Sequence, residues 1–548
     1  MIYATRPSAD TSIDRPVTAK ISIVGGGIIG AFESYYAYKE AEKNGQRVCI
    51  AVYEKGASFG STNTAYNVVP CLTFDEILHV VPSGPELVEK LAHHFSHSGG
   101  IRVDDIPNLN ESEAAVNFKN AAYAYGFDEH CADRTESLFQ LGKKSMELWQ
   151  ALYVEADEEL KGILRESSFA SCHEVEDGAE RRLHNGYQLE LVYQVPNAHA
   201  IMLGTLREYE LLGYKNCALV SPDELLTLDP CLNEFCLSCS EEMNNTRVWK
   251  EDCCALWRPA GSIDTKTFLP KFYAYLKKVM GQYKDTENQL QDCFHLYFGK
   301  EVTAVQFDSD TSEPKIRALE FQDGTCQTDD DMLYIFCPGE SVGTLNRLGF
   351  SEPAYAGFAG ASLLVTIDLA EDMPTRYKDL SLSMGVQKGD VMLAWQSRCK
   401  ENSIRIGAGG GKAFYGDTPP HKNDAFAKSR NLAQLNVMND LFPDLISMAC
   451  GRDTKASVLS QDDLLALEEK GIAHRWVGRR AVAYDGYPTI GALYHNTYKV
   501  KNARCTTHLG SGGVSFAPGA VYVSRSSEKD SDEPLVQKIL TYADSGRS

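Results

Sequence analysis

Three glycines and one carboxylate near the amino end have the types and spacing of a phosphate cradle. Gly25, Gly27 and Gly30 fit G-x-G-x-x-G, in which the first glycine permits a tight turn, the second lets backbone approach a pyrophosphate, and the third lets a helix pack on its strand. Ahead of them, residues 20–24 form a polar-then-apolar run with β-branched residues that reads as a short buried strand. Behind them, residues 31–43 are rich in Ala, Glu, Lys and Tyr and read as a helix whose first N–H groups and dipole would face phosphate. After a turn at Asn44-Gly45, a second strand over 47–53 ends at Glu54, an acid able to take hydrogen bonds from an adenosine ribose. A glycine-rich turn alone is common. Strand, glycines, helix, strand and terminal acid in one unit point to a dinucleotide site, although Gly30 to Glu54 is longer than the usual ~20 residues.

A second set of chemically useful residues lies near the other end. HRWVGRRAVAYDGYPTIGA, from His474 to Ala492, precedes THLGSGGVSFAPGA, from Thr507 to Ala520. In the latter, Gly510, Gly512, Gly513 and Gly519 flank a short apolar segment, with a helix able to start at Pro518. Read from residues alone, this is either a ligand-facing backbone turn or a strand-turn-helix with glycines for packing. The loop KGASFGSTNTAYNVVP after Glu54 has small and hydroxyl residues that would admit a bulky planar ligand, or it is a plain surface turn. A third cluster, Cys231, Cys236, Cys239, Cys253 and Cys254, contains a C-x-x-C pair. With no second such pair and no His in the span, it reads as reduced core thiols, and no metal site is expected.

These residues need a large scaffold, and 548 residues suffice for two to four domains. A net charge of −21 repels phosphate backbones and anionic lipid, so nucleic acid and membrane surfaces are not expected partners. No apolar run reaches the ~18 residues of a membrane helix, and the first residues lack the order of a secretion signal. A cytoplasmic location is therefore expected, with the sixteen cysteines as thiols. Between the two ends, residues 74–193 read mostly as a helical insertion, and 265–280 as a helix. Residues 294–298, 302–307 and 315–321 alternate like hairpin strands, with Asp323-Gly324 as a turn. DDMLYIFCPG is a continuous apolar strand suited to a covered parallel sheet, and 355–406 read as a second, largely antiparallel sheet. Residues 427–449 and 535–543 read as helices.

Taken together, the chain resembles the D-amino-acid oxidase and glycine or sarcosine oxidase superfamily of flavoenzymes. Ile23 to Gly30 matches the pattern V-x-G-G-G-I-x-G, Cys337-Pro338-Gly339 matches the midway A-A-G strand end, and Trp476, Gly478, Arg480, Asp485, Gly486, Pro488, Ile490 and Gly491 match W-x-G-x-R followed by D-G-x-P-x-I-G. GSIDTKTF, SPDELLTLDPCL, IRIGAG and LFPDL also resemble landmarks of that group. Departures are Ala481 where a proline often follows the arginine, C-P-G for A-A-G, and Ala65 where a glycine is expected.

The resemblance implies an α/β fold: a Rossmann-type, glutathione-reductase-like FAD-binding domain over 15–73, 255–350 and 470–548. A second, largely antiparallel substrate domain with the helical insertion takes 74–254 and 351–469. It implies FAD contacts at Gly25, Gly27, Ile28, Ile29, Gly30, Glu54, Lys55, Ser61, Thr62, Asn63, Val302, Gly339, Gly510, Gly512, Gly513 and Val514. No cysteine stands in the matching late motif, so the FAD is expected to be non-covalent. Arg480 maps to the arginine that grips a substrate carboxylate, a role suited to a planar guanidinium that forms two parallel hydrogen bonds. The expected reaction is oxidation of the C–N bond of an amino acid or secondary amine, with a small carboxylate-bearing molecule as substrate. Alternatives are flavin oxidation of a 2-hydroxy acid or glycerol phosphate, and a flavin-containing protein without catalysis. The insertion is expected to shape the substrate entrance or a partner surface.

Overall fold

The computed structural model describes residues 17–544 except 62–70, 73–79, 82–100, 103–112, 126–130, 168, 170–186, 212–216, 229, 286, 309–312, 330, 340–342, 369–380, 390, 401–402, 415–420, 452–457, 511 and 528–531. Two large sheets carry it. In the first, of six strands, the order is Phe294–Phe298, Arg47–Glu54 (β2), Val17–Val24 (β1), Met332–Phe336, Tyr498–Thr507 and Thr489–His495. The first five run parallel and the last is antiparallel. The central strands are Ile-, Val- and Phe-rich because both of their faces are covered.

Helices Ile28–Lys43 (α1), Thr265–Met280 and Cys131–Glu155 share one core with this sheet. Its centre is aromatic: Phe32 meets Trp149 edge-on at 4.8 Å, and Phe268 stacks on Phe272 at 4.7 Å. The Cys131–Glu155 and Glu158–Glu166 helices of the insertion therefore pack with the first sheet, whereas they were expected in the second domain with the rest of 74–254. Helical period reveals that a face is apolar, not which partner covers it.

The second sheet has eight strands, ordered Ala473–Ala483, Tyr355–Asp368, Ser403–Phe414, Val391–Lys400, Ser381–Lys388, Tyr187–Tyr193, Cys253–Pro259 and Ala218–Leu219. All its pairings are antiparallel but one, Ser381–Lys388 with Tyr187–Tyr193. Alternate residues Leu363, Val365 and Ile367 face a core shared with Leu435, Met438 and Leu464 of the helices Ala425–Leu441 and Gln461–Glu469. The other face, which carries Phe358 and Gly360, is turned away from those helices.

Two local expectations change. Residues 294–298 pair parallel with β2 as an edge of the first sheet and are not part of the meander, which Val302–Phe307, Ile316–Phe321 and Cys326–Thr328 form alone. The 427–449 helix is two helices, broken at Phe442 because Pro443 cannot donate within a helix interior. In the cysteine cluster, the thiols of Cys239 and Cys253 hydrogen-bond each other. Among the described residues no group of three metal-ligating side chains comes together, and no helix is long and apolar enough to cross a membrane.

Candidate active site

The glycine turn between β1 and α1 is shaped by close approaches. Gly25 holds a φ of 116°, and a side chain there would collide with the carbonyl of Cys337. Its N–H donates to Tyr53 O at 2.8 Å, while Cys337 N–H donates to Val24 O at 2.8 Å, so three strand ends converge on one turn. A Cβ on Gly30 would strike the Gly25 carbonyl, which is the helix-to-turn contact expected of the third glycine. At Gly27 the opposite holds: a Cβ would meet nothing within 4 Å, so this backbone faces open space.

Gly27 is also the N-cap of α1. No side chain caps this helix, and its first turn has no acidic residue, so the backbone N–H groups at its start are available to an anion. Ile28 and Ile29 begin the helix with their side chains buried in the core. Tyr273 closes the other side, donating to Gly27 O at 3.3 Å, and burial pushes its phenol well above the usual range.

Glu54 is 4 % exposed and stands at the end of β2 beside this turn. One carboxylate oxygen accepts Gly26 N–H at 3.0 Å and the other accepts Gly56 N–H at 2.8 Å. A carboxylate has room for further donors, so two ribose hydroxyls can still be accepted. Lys55 follows directly. Gly299 N–H donates to Gly56 O and Lys300 N–H to Glu54 O, each at 2.9 Å, which brings Val302 alongside the same corner. Ser61 lies in the adjoining loop, bonded to Ser58 O at 2.7 Å. Thr62 and Asn63 lie outside the described residues.

From the carboxyl-terminal side, Gly339 turns away from Cys337 with a φ of 58°, and a Cβ there would meet nothing within 4 Å. Gly510 has a φ of 57°. Its N–H donates to Ala481 O at 3.3 Å, and Gly512 N–H donates to Leu509 O at 3.0 Å. Gly513 has open space on its Cβ side, whereas Val514 is buried in the first core. The Ala517–Ser526 helix beyond is gripped by the insertion: Ser145 Oγ donates to Phe516 O and accepts Gly519 N–H, and Trp149 donates to Ser515 O. Thus the insertion buttresses this turn.

Arg480 lies one residue before the carbonyl that holds Gly510. In the ladder it stands opposite Phe358, and its guanidinium rests on Gly360, where a Cβ would lie 2.6 Å from Cζ. The register shifts at 359/361, and the carbonyls of Ala361 and Ser362 accept hydrogen bonds from buried Gln434 and Asn431 at 2.8 and 3.2 Å. Nothing in the sequence pattern marked Gly360, because AGFAGAS reads as an unremarkable small-residue run. Asp485 of the D-G-x-P motif is structural: it accepts Tyr487 N–H at 3.0 Å and pairs with Arg134 of the insertion at 3.6 Å.

The residues present fit a dinucleotide with a flavin. The uncapped α1 terminus and the bare Gly27 suit a pyrophosphate, Glu54 suits a ribose, and a Cβ at Gly339 or Gly513 would meet only open space.

No family model matches the sequence, and no curated protein matches it. Solved structures do. Glycine oxidase from Geobacillus kaustophilus superposes with a TM-score of 0.52 at 14% identity, covering 97% of this chain and 100% of that one. Amadoriase I from Aspergillus fumigatus gives 0.52 at 10% identity, over 95% and 89%. L-proline dehydrogenase from P. horikoshii gives 0.50 at 14% identity, over 97% and 98%. Along almost its whole length the chain has the α/β fold of these enzymes, as its motifs implied.

Proposed function

We propose that this chain is an FAD-dependent oxidoreductase that oxidises the C–N bond of an amino acid or secondary amine to an imine. The observation that carries the reading is the tie between two sites: the strand bearing Arg480 accepts, through Ala481 O, the N–H of Gly510 in the late glycine turn. This bond supports reading Arg480 as a carboxylate grip next to the late glycine turn. The fold shared with glycine oxidase and L-proline dehydrogenase supports the same class of reaction.

When bound, FAD supplies acceptance of a hydride equivalent from the substrate. The chain supplies position and charge. Gly27 and the α1 terminus would hold the phosphate, Glu54 and Lys55 the ribose region, Val302 the adenine edge, and Gly339, Gly510, Gly512, Gly513 and Val514 the ring, with Ser61, Thr62 and Asn63 assigned to the flavin by the resemblance alone. Arg480 binds the substrate carboxylate in two parallel hydrogen bonds and so fixes the α-carbon. The cofactor is non-covalent, and the protein works in the cytoplasm.

The test is spectroscopic. Purified protein is expected to be yellow, and anaerobic addition of amino acids and secondary amines to bleach it, with 2-hydroxy acids inert. Arg480→Ala is expected to keep FAD and raise KM for a carboxylate substrate roughly a hundredfold, in line with loss of a charge-assisted pair. A colourless protein that refuses added FAD defeats the proposal, and unchanged kinetics in Arg480→Ala remove that residue from it.

A further inference from the structure

We propose that His508 is a positioning residue for the glycine turn that follows it, and that through this turn it sets the affinity and electronic surroundings of a bound flavin. The inference rests on the flavin reading above. His508 lies between the end of the Tyr498–Thr507 strand and Gly510. It is 2 % exposed and holds a left-handed φ of 58°, a region uncommon for a residue with a Cβ. Such a conformation persists where the surroundings over-determine it.

Here they do. His508 Nδ1 lies 2.8 Å from Thr489 Oγ1, and Nε2 lies 3.1 Å from Glu352 Oε1. The Tyr355 ring stacks over the imidazole, 6.2 Å away and 11° from parallel. Glu352 is itself held, its other oxygen accepting Asn346 N–H at 3.1 Å. One tautomer serves both contacts: Nε2–H donates to the Glu352 carboxylate while Nδ1 accepts from the Thr489 hydroxyl.

Each partner belongs to a different part of the molecule. Thr489 opens the edge strand of the first sheet, and Glu352 lies in the segment leading into the second. The ring is therefore the common point of the two sheets and the turn. Backbone pairing does not need it, since Thr489 already stands opposite Thr507 in the ladder. What the ring adds is the direction in which the chain leaves Thr507, and hence where the backbone of Gly510, Gly512, Gly513 and Val514 lies. Replacing it leaves every glycine of the turn in place and frees the residue that aims them.

His508→Asn tests this, because asparagine tolerates the left-handed region but is too short to reach both partners. Thr489→Val and Glu352→Gln, which keep the imidazole, accompany it. Apoprotein is titrated with FAD by flavin fluorescence, the visible spectrum and midpoint potential of the bound flavin are recorded, and the Tm of each apoprotein is measured. In His508→Asn we expect the FAD dissociation constant to rise at least about tenfold, or 1.4 kcal/mol, with shifted visible bands and potential and little change in apoprotein Tm. The two companions shift in the same direction by less. Wild-type affinity, spectrum and potential in His508→Asn overturn the proposal, as does a loss confined to Tm. Should His508→Asn fail to fold, the companions decide, and wild-type values in both overturn it. A wild-type protein that binds no FAD overturns the flavin reading itself, and this inference with it.

Discussion

At Gly360 a missing side chain decides where a guanidinium can lie. Arg480 rests on that backbone, so a methyl group there would push the guanidinium off its seat without altering its charge. Gly360→Ala is therefore expected to raise KM for a carboxylate substrate roughly tenfold or more, by loss of two aligned hydrogen bonds, while flavin affinity stays that of the wild type. Steady-state kinetics beside an FAD titration check it. The contrast with Gly25, Gly27 and Gly30 shows what sequence discloses at this scale. Those three are legible because their spacing encodes one local turn, and Glu54 because it ends the next strand. Gly360 meets Arg480 only across a ladder joining residues more than a hundred positions apart, and no periodicity within AGFAGAS reports it. The amides of Gly26 and Gly56 that hold Glu54 were equally hidden, since backbone donors leave no mark on residue type.

Elements built on local signals were read closely. The helix expected at 265–280 is Thr265–Met280, capped by Asp264, whose side chain accepts from Lys266 and Thr267 N–H. Residues 294–298 were misread because alternation looks the same in a hairpin and in an edge strand, and the partner that settles the matter is some 240 residues earlier. The strand carrying Arg480 has its own anchor. Burial opposes ionisation of Glu468, yet hydrogen bonds from Lys422 and Arg475 outweigh it and hold its carboxyl below the ordinary 4.5. Arg475 lies in that strand and meets Glu468 at 2.6 Å. A depressed carboxyl stabilises the fold above its unfolded pKa, and that contribution is lost as pH falls through the folded value. Acidification below pH 4.5 is thus expected to lower Tm, and Glu468→Gln to flatten that acid limb in a thermal-shift series.

Across the whole molecule, the early helix and the late strands are joined by charge. Glu33 of α1 is fully buried and accepts from Arg504 at 2.8 Å, while Arg525 reaches Glu33 at 3.8 Å and Glu40 at 2.5 Å. Removing one partner of such a pair leaves the other charge buried, a loss of about 3–5 kcal/mol. Glu33→Gln is expected to destabilise the protein by that order in a urea titration, with the first sheet responding before the second. The motifs at the two ends carry the expectation of one shared site. They did not announce this pair, because a lone Glu in a helix and a lone Arg in a strand carry no spacing.

The order of strands in the first sheet also has a temporal meaning. β1 sits between β2 and Met332–Phe336, and the latter's outer neighbour is Tyr498–Thr507. During translation, β1 and β2 emerge long before the strands that cover them. A ribosome would have to pass residue 336 before β1 and β2 both have their neighbours, so an emerging chain must shield those early apolar strands, by chaperones or transient collapse, until then.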